Sequence, residues 1–434
     1  VIEELLVVVG RRVAARIIRV RGRLELVYDE LYRTGGFATP LSVTMSLTET
    51  THPHAVVAPW LAGLLPDDNA VRARWSRQFA VADNPFSLLG TPIGEECAGA
   101  ARFITADRLD AALAGDGSVT WLSEAELAAR IRGLRADASA WLGTDFSGRF
   151  SLAGAQAKTA LLHDPGSDRW GVPSGTAATS HILKPAITGF DDHDLNEHLC
   201  LTAAGRTGLL VAPTALMRFE DQSVIAATRY DRVQGNSPWL TRIHQEDLCQ
   251  ALGLPPDRKY QNEGGPTARD VADLLRQVLP TGSAQEGVWR FFDAVAFNWL
   301  IGGTDAHAKN YSLLLSGRQV ALAPLYDIAS ALPYDGMPLK KLRMAMKFGG
   351  DYPLTIRTPT MWAKVATEFT LPQDAVRARA AQLMDAVRDA FADAAAVPDV
   401  AALGSTLPAR LVDAVAEQVA RCRSALQDRE SATT

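Results

Sequence analysis

The period of the hydrophobic pattern changes once along this chain of 434 residues, and that change limits the architectures open to it. Before about residue 240, apolar residues come mainly in short runs, the pattern of strands, with a few helices among them. Beyond it they recur at helical spacing over residues 267–279, 286–301, 361–368, 373–395 and 408–426. Gly264-Gly265-Pro266 and the stretch 333–338 interrupt these helices. A β-rich part followed by a helical part predicts an α+β chain with two lobes: a β-rich N-terminal lobe and an all-helical C-terminal lobe. Chemistry is then expected in the cleft between lobes.

Within the β-rich part, the runs 5–9, 14–20 and 24–28 read as strands turned by Gly10 and Gly22. Residues 55–78 read as helical, split by Pro66. A short helix is expected after Asn84-Pro85, and another over 123–134, where Ser123-Glu124-Ala125-Glu126 fits a capping box. Residues 150–162 read as strand, glycine loop, strand; 163–180 as a polar loop; 181–184 and 223–229 as strands; and 194–205 as a helix. The domain expectation is a leading subdomain over 1–105, the rest of the N-lobe over 106–236, and a helical C-lobe over 237–434.

Composition excludes little but helps. Hydrophobic residues make up 47% and charged residues 21%, ordinary for a globular chain with a large core. A net charge of −5 gives no whole-protein basic field for nucleic acid. The four cysteines, Cys97, Cys200, Cys249 and Cys422, are too dispersed for a disulfide framework or zinc site, and suggest buried thiols in a reducing compartment. Glu3 and Glu4 precede a short apolar run that Arg11 and Arg12 end, unlike a signal peptide. No run approaches the ~20 apolar residues of a membrane span. A cytoplasmic protein with no membrane partner is expected.

The segment 298–315, NWLIGGTDAHAKNYSLLL, carries the most chemistry. It leaves a helix through Gly302-Gly303, crosses a polar loop and enters a strand. Asp305 and Asn310 stand five residues apart, the spacing of a protein-kinase catalytic loop, where the Asp takes the substrate hydroxyl proton and the Asn holds Mg²⁺. Lys309 would neutralise charge on the transferring phosphoryl group. Seventeen residues after Asn310 comes Asp327, placed to reach the same metal. Alone, Asp305 or Asp327 would serve equally as a cap or turn residue. Their combination, on loops flanking a strand in the helical half, favours chemistry.

Two further pieces suit a nucleotide. Ser151 to Thr159, SLAGAQAKT, is a small-residue loop whose free N–H groups would cradle phosphates, although it is not a Walker A loop and a tight turn is the simpler reading of it alone. Lys184 ends the strand His181–Lys184 and offers a point charge to ATP phosphates. Glu197, on the next helix, is a candidate partner for it. His307 lacks a neighbouring metal motif and reads as a structural loop histidine.

Taken together, FSLAGAQAKTALL (150–162), HILKP (181–185), RYDR (229–232), RIHQEDLCQALG (242–253), NWLIGGTDAHAKN (298–310) and PLYDIASALP (324–333) resemble the HipA family of bacterial toxin–antitoxin kinases. WLAGLLPDDNAVRARW (60–75) and NPFSLLGTPIGEECAGA (84–100) resemble that family's N-terminal region, so the resemblance covers nearly the whole chain. It implies a protein-kinase-like fold and an ATP- and Mg²⁺-dependent serine/threonine kinase. Asp305 is then the catalytic base, with Asn310 and Asp327 as metal ligands. Lys184 contacts phosphates, and the loop Ala153, Gly154, Ala155, Gln156, Ala157 and Lys158 covers them. Thr228 to Tyr230 forms the hinge that meets adenine. Ser151 matches the family's autophosphorylated serine, and a phosphate there would expel the loop and silence the enzyme.

The implied partners are a HipB-like helix-turn-helix antitoxin, operator DNA mainly through that antitoxin, and a protein target such as glutamyl-tRNA synthetase or another aminoacyl-tRNA synthetase. Ala157 departs from the family's usual Glu, and Thr228 from its usual hinge Glu. Two other readings stand beside this one: a catalytically silent pseudokinase corepressor, and a kinase for a non-protein substrate. Intact Asp305, Asn310, Asp327 and Lys184 speak against the first.

Overall fold

The computed structural model describes residues 2–143, 148–235, 237–355 and 360–427. Its contacts group them into two units, each assembled from three segments of chain. The first is Val1–Pro185, Met217–Asp257 and Ser312–Ala323; the second is Ala186–Leu216, Arg258–Tyr311 and Pro324–Thr434.

The first unit opens with β1 (Ile2–Val9), β2 (Arg12–Val20) and β3 (Arg23–Tyr28), the three expected strands. They pair antiparallel, with Leu5 opposite Ile17 and Ile17 opposite Leu26, so one face is apolar. Two short strands, β4 (Thr51–His52) and β5 (Ala101–Ile104), complete a sheet in the order β4-β3-β2-β1-β5. Leu5, Val7, Ile17 and Leu26 are buried with Trp60, Leu61 and Trp75, and each such aliphatic side chain stabilises the fold by roughly 1.5–3 kcal/mol. Trp60 and Trp75 lie on the helices His54–Gly63 and Asn69–Gln78, which Pro66 separates as expected. Asn84 caps the helix Pro85–Leu89, and Ser123 with Glu126 forms the expected capping box on Glu124–Ala136.

A second sheet of this unit contains β6 (Gly117–Leu122), β7 (Thr159–Asp164), β8 (Arg169–Gly175), β9 (His181–Lys184), β10 (Thr214–Phe219) and β11 (Gln222–Thr228). Their order is β10-β11-β9-β7-β8-β6. A ribbon of β12 (Arg232–Val233) and β13 (Thr241–Arg242) follows, then a sheet of β14 (His244–Asp247), β15 (Ser312–Ser316) and β16 (Gln319–Leu322).

Two expectations need correction here. No strand forms at Phe150. Ser151 makes one parallel bridge, to Cys97, because its N–H donates to the Glu96 carbonyl at 2.8 Å and its hydroxyl to the Leu64 carbonyl at 2.8 Å. The stretch 163–180 is not one polar loop, because β8 runs through it with Trp170 and Val172 buried. Its Gly, Pro and Ser disguise a strand that pairs on both sides, with β6 and β7. Likewise β6 and β10 went unforeseen.

The second unit is built on helices: His193–Arg206, Ala268–Val278, Ala284–Ile301, Met361–Phe369, Gln373–Ala395 and Leu407–Gln427 among them. Ala284–Ile301 is apolar around most of its circumference, as a central buried helix must be. Phe291 and Phe292 pack on Phe369 with ring centres 5.6 and 5.4 Å apart, and Phe297 stacks on Phe391 at 6.3 Å. The C-terminal part is not all-helical. β14 to β16 fall within its sequence, and the second unit has its own hairpin of β17 (Arg343–Phe348) and β18 (Asp351–Pro353). Strands this short leave little periodic signal between long helices.

Candidate active site

The buried helix Ala284–Ile301 sets the position of everything that follows it. It ends at Gly302 in the left-handed region (φ +67°), where a residue without Cβ is favoured. Gly303 is required for a different reason: a Cβ there would stand 2.2 Å from Asn298 Oδ1. The two glycines let the chain turn sharply off the helix and back across Asn298. The loop then holds itself through one carbonyl. Asp305 O accepts from His307 N at 2.8 Å and from Asn310 Nδ2 at 2.8 Å. Asn310 N donates to His307 O at 2.9 Å, closing a short 3₁₀ turn over Ala308–Asn310. Because Nδ2 is committed to Asp305, Asn310 Oδ1 is the oxygen available to a cation.

Asp305 itself is exposed, and its Oδ1 accepts from the Tyr260 hydroxyl at 2.5 Å. Lys309 is buried, and its carbonyl accepts from the Tyr326 hydroxyl at 2.8 Å. That bond joins the loop 302–310 to the segment that carries Asp327. Asn310 and Asp327 line one pocket, with Asn298, Ala306 and Tyr326 among its other walls. Its cavity volume of about 10 Å³ is room for roughly one water-sized group, the scale of an ion rather than of a nucleotide. Asp327 adopts φ +53°, a left-handed conformation that Asp tolerates better than most residues. His307 is buried with its ring edge-on to Tyr260 at 5.0 Å.

The remaining candidates lie in the first unit. Gly154 of the small-residue loop has φ +103°, and its carbonyl accepts from Asp67 N at 3.0 Å. Lys158 is buried, donates to the Ala153 carbonyl at 2.8 Å and stands 5.0 Å over the Trp141 ring. Gln156 Nε2 donates to the Pro185 carbonyl at 3.4 Å. Ala155 and Ala157 fill the turn between them. Lys184 is buried on β9, opposite Ile225 of β11, and Thr228 stands opposite His181 in the same ladder. Tyr230 donates its hydroxyl to Gln245. Glu197 belongs to the second unit, buried on the helix His193–Arg206.

Sequence reasoning missed the group that fixes the arginines of residues 229–242. Glu96 is buried and accepts from Arg229 at 3.0 Å, Arg232 at 2.8 Å, Arg242 at 2.5 Å and the Thr179 hydroxyl at 2.8 Å. Asp231 binds Arg229 at 2.7 Å and Arg232 at 2.8 Å from the other side. Burial pushes the Glu96 carboxyl up, but the guanidiniums of Arg232, Arg242 and Arg229 outweigh it and hold the group well below the ordinary carboxylate range. The RYDR run was visible, but not the acid it clasps. Tyr260 and Tyr326 were missed for the same reason: a tyrosine announces no partner.

Among the described residues no cluster of three or more His, Cys, Asp or Glu is arranged for a metal, and no helix is long and apolar enough to cross a membrane. Asn310 and Asp327 nevertheless match what Mg²⁺ takes from a phosphotransfer protein: one or two hard oxygen ligands, the rest from phosphate and water.

Comparison with known proteins identifies the family. Residues 5–104 match the family model of the HipA N-terminal domain, and residues 150–391 that of the HipA-like C-terminal domain. The chain is 34% identical over 375 residues to a Sinorhizobium fredii protein named "Putative kinase Y4mE", covering 86% of each. It is 27% identical over 336 residues to the serine/threonine-protein kinase toxin HipA of Shewanella oneidensis, covering 74% of this chain and 72% of that one. A chain from the solved complex of Shewanella oneidensis HipA, HipB and operator DNA has the same fold, with a TM-score of 0.83 over 99% of this chain and 100% of that one, at 21% identity. Two family models in chain order, one of them spanning more than half of its length, establish that this chain belongs to the HipA family.

Proposed function

We propose that this chain is an ATP- and Mg²⁺-dependent serine/threonine protein kinase and the toxin of a toxin–antitoxin pair. The observation that carries the reading is the convergence of Asn310 and Asp327 on one pocket, with Asp305 orienting Asn310 through its own carbonyl. Kinase names on the relatives support it. In the transfer, a serine or threonine oxygen attacks the γ-phosphorus of ATP. The bond to the β–γ bridging oxygen breaks, its electron pair leaves on ADP, and the hydroxyl proton passes to Asp305. Mg²⁺, when bound, neutralises charge on the phosphates. Asn310 Oδ1 and the Asp327 carboxylate would hold it. Lys184 and the loop from Ala153 to Lys158 engage the phosphates, Lys309 offsets charge on the transferring group, and Thr228 with Tyr230 meets the adenine.

Ser151 is the proposed autophosphorylation site. Its hydroxyl is buried against Leu64, so a phosphate there is incompatible with the bonds that hold the segment to Leu64 and Glu96. The modified loop would leave the phosphate site. The solved complex of HipA, HipB and operator DNA supports a HipB-like antitoxin as partner, and the net charge of −5 here suits an arrangement in which that antitoxin would supply most of the contact to operator DNA. The proposed target is an aminoacyl-tRNA synthetase, glutamyl-tRNA synthetase being the first to try.

The test is incubation of the unmodified protein with labelled ATP and Mg²⁺, wild type beside Asp305→Asn, read by mass spectrometry. Phosphate on Ser151 in the wild type alone is the expected result. No phosphate and no ATP binding would move the assignment to a silent corepressor.

A further inference from the structure

We infer that Tyr260 is a positioning residue for Asp305, a part of the phosphotransfer machinery that lies outside the catalytic loop; this rests on the kinase reading above. Asp305 is exposed on a loop, and an exposed carboxylate with two free torsions samples several rotamers, only some of which face an incoming hydroxyl. The Tyr260 hydroxyl removes that freedom. It donates to Oδ1 at 2.5 Å, within the short range of hydrogen bonds to an ionised acceptor. Oδ2 has no hydrogen-bond partner among the described residues, so one oxygen is anchored and the other is left for the substrate proton.

An anchor must itself be fixed, and Tyr260 is. Its carbonyl accepts from Glu263 N at 3.0 Å and Gly265 N at 2.9 Å. Gly265 has no room for a side chain, since a Cβ would stand 2.5 Å from the Arg258 carbonyl and 2.7 Å from that of Tyr260. The neighbouring Lys259 carbonyl accepts from Ala308 N at 3.1 Å, which clips this turn to the catalytic loop. On the other side Gln261 accepts from Lys347 N at 2.7 Å. The ring packs edge-on against His307. Packing would need only the ring; the hydroxyl is placed on the one carboxylate to which the reaction assigns the proton.

Tyr260→Phe keeps the ring and removes the hydroxyl, which makes it the informative variant. The probe is labelled MgATP, with the chain itself as phosphate acceptor, followed as an initial rate at saturating ATP. The expected result is a rate lower by about 10- to 100-fold with the dissociation constant for MgATP within twofold of wild type. In an Asp305→Ala background, measured over hours, adding Tyr260→Phe is expected to change the residual rate less than twofold, because Tyr260 acts through the missing carboxylate. A wild-type rate in Tyr260→Phe overturns the inference. So does an equal slowing in both backgrounds, which would mark a purely structural residue. A wild-type rate in Asp305→Ala instead overturns the kinase reading on which it rests.

Discussion

Glu96 and Asp305 are both carboxylates at the centre of hydrogen-bond networks, and the networks differ in almost every physical respect. Glu96 is buried, and both of its oxygens are taken by guanidinium groups. Asp305 is exposed, and among the described residues one of its oxygens is engaged, by one neutral hydroxyl. The first arrangement fixes backbone: it ties the segment at Glu96 and Cys97 to Arg229, Arg232 and Arg242 and spends its whole hydrogen-bonding capacity doing so. The second keeps capacity free, which a base must do. Burial and saturation thus suit Glu96 to a structural role, while exposure with one restrained oxygen is compatible with the base role proposed for Asp305.

Four substitutions would break or sharpen that contrast. Asp305→Asn is expected to lower phosphotransfer by about 10²- to 10⁴-fold while leaving the thermal midpoint nearly unchanged, because general base catalysis is lost and no buried contact is. Initial rates beside a melting curve decide it; a large stability loss would mean that Asp305 is structural after all. Glu96→Ala should do the reverse, destabilising the fold by roughly 3–5 kcal/mol, since Arg242 would lose its carboxylate and Arg229 and Arg232 would be left to share Asp231. Denaturant titration reads this directly. Asp327→Asn is expected to raise the Mg²⁺ concentration at half-maximal rate by roughly 10-fold or more with little change in stability, by loss of the only full negative charge among the proposed ligands.

The smallest effect concerns pH. Stability from Glu96 is present above the ordinary carboxylate range and lost as pH falls through its depressed folded value. Glu246 has the opposite sign. Burial pushes its carboxyl up to about 8 from the ordinary 4.5, although it accepts from Val43 N at 2.7 Å. Its contribution is complete below 4.5 and is lost as pH rises through about 8. Glu246→Gln should therefore flatten the decline of stability between pH 4.5 and 8 and leave the acid limb, set in part by Glu96, in place. Unfolding curves across that range test it; an unchanged alkaline decline would remove Glu246 as its source.

Much of the local structure was legible. The strands β1 to β3 and the helix Ala284–Ile301 follow from apolar periodicity, and Gly302-Gly303 marks the turn between helix and loop. Asp305 and Asn310 could be paired on spacing alone because both lie in one tight turn. β8 was not legible, since Gly171, Pro173 and Ser174 weaken its signal and only pairing with strands on both sides makes it a strand.

The sequence by itself determined the α+β plan, the HipA-like motifs and their order, and which residues were candidates to hold a metal, because periodicity and short-range spacing are local properties. Tertiary structure alone decided that Asn310 and Asp327 share a pocket, that Tyr260 restrains an acid 45 residues away, and that Glu96 meets Arg232 from 136 residues away. Those pairings depend on how distant segments are brought together in space, and a hydroxyl or guanidinium carries no sequence signal for which distant carboxylate it will reach.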